Sequence, residues 1–139
     1  TQQLIRQLLN VWESSVRATH DFLSEEEIIK IREYVPMAIE NVEYLIIAEK
    51  EFGEPVAFMG IDSNRLEMLF LSPEVRGKGF GKQLLQYGIE TYNIQELTVN
   101  EQNPQAVGFY EHMGFQTYKR TEYDEEGNPY PLLYMRLSR

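Results

Sequence analysis

Residues 69–89 read LFLSPEVRGKGFGKQLLQYGI: an apolar run stops at a proline, an arginine leads three glycines set two apart, and a helical pattern follows at once. Glycines between a strand and a helix let a ligand approach the main chain where a Cβ would block it. Successive N–H groups there, joined by the unpaired donors of a helix start, form a cradle for an anion. Arg76 and Lys78 add positive charge at its rim, and a diphosphate is the natural occupant. Two familiar phosphate loops fail on spacing. A P-loop requires G-x-x-x-x-G-K-[ST], but Gly81-Lys82 is followed by Gln83, and Arg76 stands five places before Gly81. The dinucleotide pattern G-x-G-x-x-G is met by Gly77 and Gly79 and broken at Lys82. No Ser/Thr and Asp pair stands at a spacing suited to Mg²⁺, which counts further against a nucleotide-binding protein.

The elements that must hold this loop are legible on both sides of it. Leu4, Ile5, Leu8, Leu9, Trp12 and Val16 make a helical stripe over residues 3–18. After the interruption THDF, Ser24 to Glu27 form a capping box that opens a second helix, which Pro36 is expected to kink or end. The period changes after Asn41: VEYLIIAEK and PVAFMGID read as a hairpin about the turn EFGE, and RLEMLFL as a third strand. Residues 81–92 form an amphipathic helix in which Gly81 and Gly88 permit close packing. ELTVN is a short strand. NPQAVGFYEHMGF is a helix with Asn103 as N-cap, Pro104 in the first position and Gly114 as the stop. A last hairpin, FQTYKRTEYD and YPLLYMRL about EEGNP, completes one α+β unit spanning 1–139.

Composition narrows the function classes. With 42% hydrophobic and 25% charged residues the chain is globular in profile, and its longest apolar runs are strand-sized. The absence of cysteine removes disulfides, thiolate metal sites and a cysteine nucleophile, and fits a reducing, cytoplasmic setting. A net charge of −9 speaks against nucleic-acid binding and suits a cationic small molecule or a basic peptide. No membrane partner and no metal are expected.

LSPEVRGKGFGKQLL resembles motif A of the GNAT (GCN5-related) N-acetyltransferases, R-x-x-G-x-[GA] after a strand ending near a proline, with Arg76, Gly79 and Gly81 in those places. NPQAVGFYEHMGF is similar to the family's motif B, at the expected distance beyond a short strand, and the order of elements agrees over nearly the whole chain. SVRATHDFL and PYPLL further resemble a group of small bacterial members. The resemblance implies a mixed α+β fold with a splayed central sheet flanked by helices. The family's first strand, which precedes the first helix, is expected to be absent from this chain.

The resemblance also implies a bacterial acetyl-CoA-dependent N-acetyltransferase, a monomer or homodimer, that moves an acetyl group to a primary amine of a small molecule or peptide by direct attack. The alternative is a non-catalytic acyl-CoA-binding module. The diphosphate of acetyl-CoA would lie on Arg76, Gly77, Lys78, Gly79, Phe80, Gly81 and Lys82. The pantetheine arm would lie along Leu69, Phe70 and Leu71, with an N–H near Leu71 as oxyanion donor and Asn103 as a further cofactor contact. Tyr110 takes the motif B place of the general acid, with core packing beside Phe109 as its plain reading. Strand alternation sets Glu67 on one face with Leu69 and Leu71, and a carboxylate there is a common general base. His20 or a water are the alternatives for that role. Trp12, Asp21, Phe22 and Tyr130 are candidates for the acceptor pocket, although Trp12 also lies on the apolar helix stripe.

Overall fold

The structure, a computed structural model, describes residues 2–138. They open with helix α1 (Gln2–Thr19), followed by α2 (Glu25–Arg32) and α3 (Val35–Asn41). Ser24 caps α2 as the sequence requires: its hydroxyl accepts from the Glu27 N–H, and the Glu27 carboxylate accepts from the Ser24 N–H. Pro36 neither kinks nor ends this helix. The chain turns at Glu33–Tyr34 and Pro36 lies in the first turn of α3, where a missing N–H costs nothing. The third helix was not anticipated, because a proline after an apolar run reads equally well as a stop or a start.

Strands β1 (Tyr44–Glu49), β2 (Pro55–Asp62) and β3 (Arg65–Leu71) form an antiparallel meander. Helix α4 (Phe80–Tyr92), β4 (Glu96–Asn100), α5 (Pro104–His112), β5 (Phe115–Thr121) and β6 (Leu132–Leu137) follow. One six-stranded sheet results, in the order β1-β2-β3-β4-β6-β5. Among the described residues no strand precedes α1.

The sheet is covered on both faces. Leu8, Trp12, Val16, Ile28 and Ile39 from the first three helices pack on Phe58, Met68 and Phe70. Leu84 and Leu85 of α4 pack on Ala57, Met59, Leu97 and Met135 from the opposite side. β2 is therefore buried on both faces, which explains its unbroken apolar run PVAFMGI. Gly88 is the close-packing glycine of α4: a Cβ there would stand 2.5 Å from Ile94 Cδ1 and 3.0 Å from Met59 Cε. Gly81 has room for one, with Phe109 Cζ the nearest neighbour at 3.5 Å.

The feature that positions the site is a fork. β3 and β4 run parallel but pair only at Arg65–Glu96 and Leu66–Leu97. Beyond that point β3 continues to Leu71 and β4 to Asn100 without pairing to each other, so the two halves of the sheet diverge. α4 follows β3 after a turn at Pro73–Val75, and α5 follows β4. No helix among the described residues is long and apolar enough to cross a membrane.

Candidate active site

A cavity of about 410 Å³ occupies the fork. Its walls come from the C-terminal end of α1 (Ser15, Thr19) with His20, from β3 (Leu69, Phe70, Leu71), from the loop Arg76–Lys82 and from α5 (Ala106, Phe109, Tyr110). Two halves of the chain, separated in sequence by α4 and β4, therefore meet across one space.

The glycine loop forms the end of the cavity beside the start of α4. Gly77 and Gly79 have φ of +77° and +85°, where L side chains are strained, and open space lies where their Cβ atoms would be. The N–H groups from Gly77 to Lys82 donate to no other described residue; the first internal bond of α4 is Gln83 N–H to the Gly79 carbonyl, at 3.0 Å. Unpaired donors at a helix start beside bare backbone suit an anion. Gly77, Gly79, Phe80, Gly81 and Lys82 line the cavity, whereas Lys78 does not. Arg76 lines it too, and its Nη2 donates to Gln105 Oε1 at 2.7 Å, tying the loop to α5.

The edge of β3 that faces the fork is open. Ser72 N–H donates to the Val56 carbonyl at 2.8 Å, so it points toward β2. Backbone alternation along a strand then turns the N–H and C=O groups of Leu71 and Leu69 the other way, into the gap. Asn103 combines both roles read from the sequence: its side chain accepts from Ala106 N–H at 3.3 Å as the N-cap of α5, and it also lines the cavity.

Tyr110 lies in the cavity wall, with its ring 5.3 Å from that of Phe109 and 6.2 Å from that of Phe115. Its hydroxyl bonds to no other described residue, and burial pushes its pKa well above the ordinary phenol value. His20 faces the same cavity. Burial lowers its pKa, with Asp21 opposing the shift, so its ring is neutral at neutral pH. The Phe22 ring lies 5.3 Å from His20, and Tyr130 stands 5.8 Å beyond Phe22, so an aromatic file leads away from the cavity.

Phe22 and Tyr130 are themselves outside the cavity lining, and so are Glu67, Trp12 and Asp21. Glu67 does not line the cavity, and the alternation assumed for it fails. β2 pairs Gly60 with Met68 and Ile61 with Leu66, which leaves Glu67 as the extra residue of a bulge. The bulge puts Leu66 in the same core as Leu69 and Leu71, and Glu67 at the root of the fork, 3.4 Å from Arg65 Nε. Partial burial raises its pKa, with Arg65 opposing and Asp62 and Glu125 reinforcing the shift. Trp12 is only 4% exposed and packs in the core under α1, so it is no pocket wall. Asp21 is exposed and outside the cavity lining.

Sequence reasoning missed Ser15, Thr19, Gln105 and Ala106, and took Phe109 only as a core residue. Ser15 had a signal: a small polar residue, 7% exposed, within an otherwise apolar helix stripe. Among the described residues no three His, Asp or Glu side chains are grouped as a metal site.

A sheet forked between two motif-bearing halves, with an anion cradle at the mouth of the fork, is the architecture of an acyl-CoA-type transferase. A family model for the acetyltransferase (GNAT) domain matches residues 13–137, and the chain belongs to that family. It is 42% identical over 126 residues to the peptidyl-lysine N-acetyltransferase YjaB of Salmonella typhimurium strain LT2, covering 91% of this chain and 86% of that protein. The solution structure of apo-form YjaB from Escherichia coli superposes with a TM-score of 0.87 at 38% identity, over 96% of this chain and 90% of that one. The PaiA N-acetyltransferase of Thermoplasma acidophilum, in complex with coenzyme A, shares the fold at a TM-score of 0.71 and 24% identity, over 97% and 92% of the two chains. The family, the fold and the enzyme class read from the sequence, an N-acetyltransferase, are borne out.

Proposed function

We propose that the protein transfers the acetyl group of acetyl-CoA to the side-chain amine of a lysine in a peptide or protein. The reading that carries this is the cavity itself: unpaired N–H groups of the glycine loop at one end, and His20 and Tyr110 in its wall. The acceptor class is supported by the relatives, which are named as peptidyl-lysine N-acetyltransferases. A single domain working in the bacterial cytoplasm is the setting that fits a cysteine-free chain with these relatives.

Acetyl-CoA supplies an activated thioester. In this reading Arg76 and the N–H groups from Gly77 to Lys82 hold its diphosphate. The open edge of β3 at Leu69 and Leu71 binds the pantetheine amides as a neighbouring strand would, and the Leu71 N–H faces the developing oxyanion. His20 Nε2 removes a proton from the incoming amine, whose nitrogen then bonds to the acetyl carbon. The carbon–sulfur bond breaks, and the Tyr110 hydroxyl gives its proton to the departing sulfur, to be restored from water. Tyr110 is protonated at neutral pH, as the acid role requires, and burial makes it a weaker donor than an exposed phenol. A second reading gives the base role to Glu67 acting through water, favoured by its place at the root of the fork and its raised pKa.

The test is to mix the protein with acetyl-CoA and lysine-containing peptides, with spermidine and small amines in parallel. Thiol release and acetylated lysine by mass spectrometry are the readouts. Peptide acetylation is expected. Acetyl-CoA binding without thiol release on any amine would mean a non-catalytic acyl-CoA-binding module, and turnover confined to small amines would overturn the acceptor class.

A further inference from the structure

The cavity wall holds a short hydrogen-bond chain that the scheme above leaves unexplained. Thr19, the last residue of α1, directs its hydroxyl to the Ser15 carbonyl at 2.8 Å. The same oxygen lies 2.7 Å from His20 Nδ1. A hydroxyl has a single proton to give. With that proton given to the Ser15 carbonyl, Thr19 Oγ1 meets the ring as an acceptor. In that arrangement the hydrogen of the neutral ring belongs on Nδ1 and its lone pair on Nε2, which bonds to no other described residue. The backbone holds the arrangement in place: His20 N–H donates to the Val16 carbonyl at 2.7 Å, and its own carbonyl accepts from Leu23 N–H at 3.1 Å. Ser15, Thr19 and His20 all line the cavity.

We infer that Thr19 is a positioning residue that holds His20 in the tautomer offering Nε2 to the acceptor amine. The inference rests on the reading of His20 as the proton acceptor. A threonine suits the place because only a hydroxyl can pass its proton back to the helix while receiving one from the ring. Valine has a similar shape without that capacity; serine retains it. Asp21, beside it in the chain, is the charged group that acts on the ring, while Arg76 and Lys82 from the glycine loop and Tyr110 from α5 line the same cavity. On α1 itself Glu13 and Arg17 are paired with each other, and with Arg32 and Glu25 of α2.

The chain has two histidines, His20 and His112, so ¹⁵N-histidine labelling yields a spectrum with one internal reference. In the wild type the neutral His20 ring is expected to be protonated at Nδ1. Thr19→Val should shift it toward the Nε2–H tautomer and lower kcat about fivefold, with KM for acetyl-CoA nearly unchanged. Its acid limb should also move to lower pH. The cation loses an acceptor for its Nδ1–H, and the neutral ring gains a second tautomer, so both effects favour the neutral form. Thr19→Ser should restore tautomer, rate and pH profile together.

A wild-type ring protonated at Nε2 would overturn the inference, as would a Thr19→Val enzyme with an altered tautomer and full kcat. Should Thr19→Val fail to fold, the wild-type spectrum and the Thr19→Ser profile still decide. A fully active His20→Ala enzyme beside an intact Nδ1–H signal in the wild type would remove the base reading itself. The Thr19–His20 bond would then be a structural contact only.

Discussion

The two ends of the cavity are built from different materials. The glycine-loop end is backbone: consecutive N–H groups, two glycines at positive φ and a helix start, all within seven residues from Arg76 to Lys82. The other end is side chains drawn from far apart: His20 after α1 and Tyr110 on α5, with Phe22 and Tyr130 stacked outward from His20. A backbone site tolerates little at a few positions, because a Cβ or a charge there occupies the ligand's own volume. A side-chain site distributes its work, so each loss should be partial and should appear in rate more than in affinity.

Four substitutions test this contrast. Gly79→Asp should be the most damaging, since it combines an L side chain at φ +85° with a negative charge against the diphosphate. Calorimetry should show acetyl-CoA binding weakened roughly 100-fold or more; unchanged affinity in a folded variant would remove the cradle from this loop. His20→Ala should leave acetyl-CoA affinity intact and lower kcat by about 100-fold. The wild-type pH profile carries the sign. Burial depresses the pKa of His20, so activity should hold as pH falls to the ordinary histidine range and drop only below it. The His20→Ala enzyme should lose that limb, and an unchanged limb would belong to another base.

Tyr110→Phe should cost less, about tenfold in kcat, because a thiol of pKa near 8.5 leaves without much help from an acid. Its affinity for acetyl-CoA should be unchanged, and no alkaline limb from Tyr110 is expected near the ordinary phenol range. A fully active phenylalanine variant would make the ring a packing group alone. Glu67→Gln should be the mildest, within about twofold in kcat, because the carboxylate is exposed and outside the cavity lining. A loss larger than that of His20→Ala would transfer the base role to Glu67 and tilt the acceptor end toward the fork's root.

Legibility followed the same division. The glycine loop, the Asn103 cap and the Ser24–Glu27 box could be read directly, because each depends on neighbours within a turn or two of chain. The extra helix after Pro36 and the bulge at Glu67 could not. A proline is compatible with a helix start or stop, and a bulge appears only when a strand's register with its neighbour is known. The bulge interrupts the strict alternation expected of this strand, and the first-choice base lies outside the cavity lining. Trp12 shows the converse: its place on the apolar stripe already pointed to the core, and burial confirms that it packs there.

By itself the sequence determined the local devices: where helices begin, where the backbone is left bare for an anion, and which family's pattern the two motifs share. Those outcomes depend on φ preferences, caps and short-range donors, all of which act within a few residues. Only the tertiary structure decided where β3 and β4 part, which side chains reach the space between them, and that Thr19 and Ser15 stand behind His20. These depend on strand pairing between distant segments and on two cores packing at once, and the free energies that set them are sums over contacts that no short stretch contains.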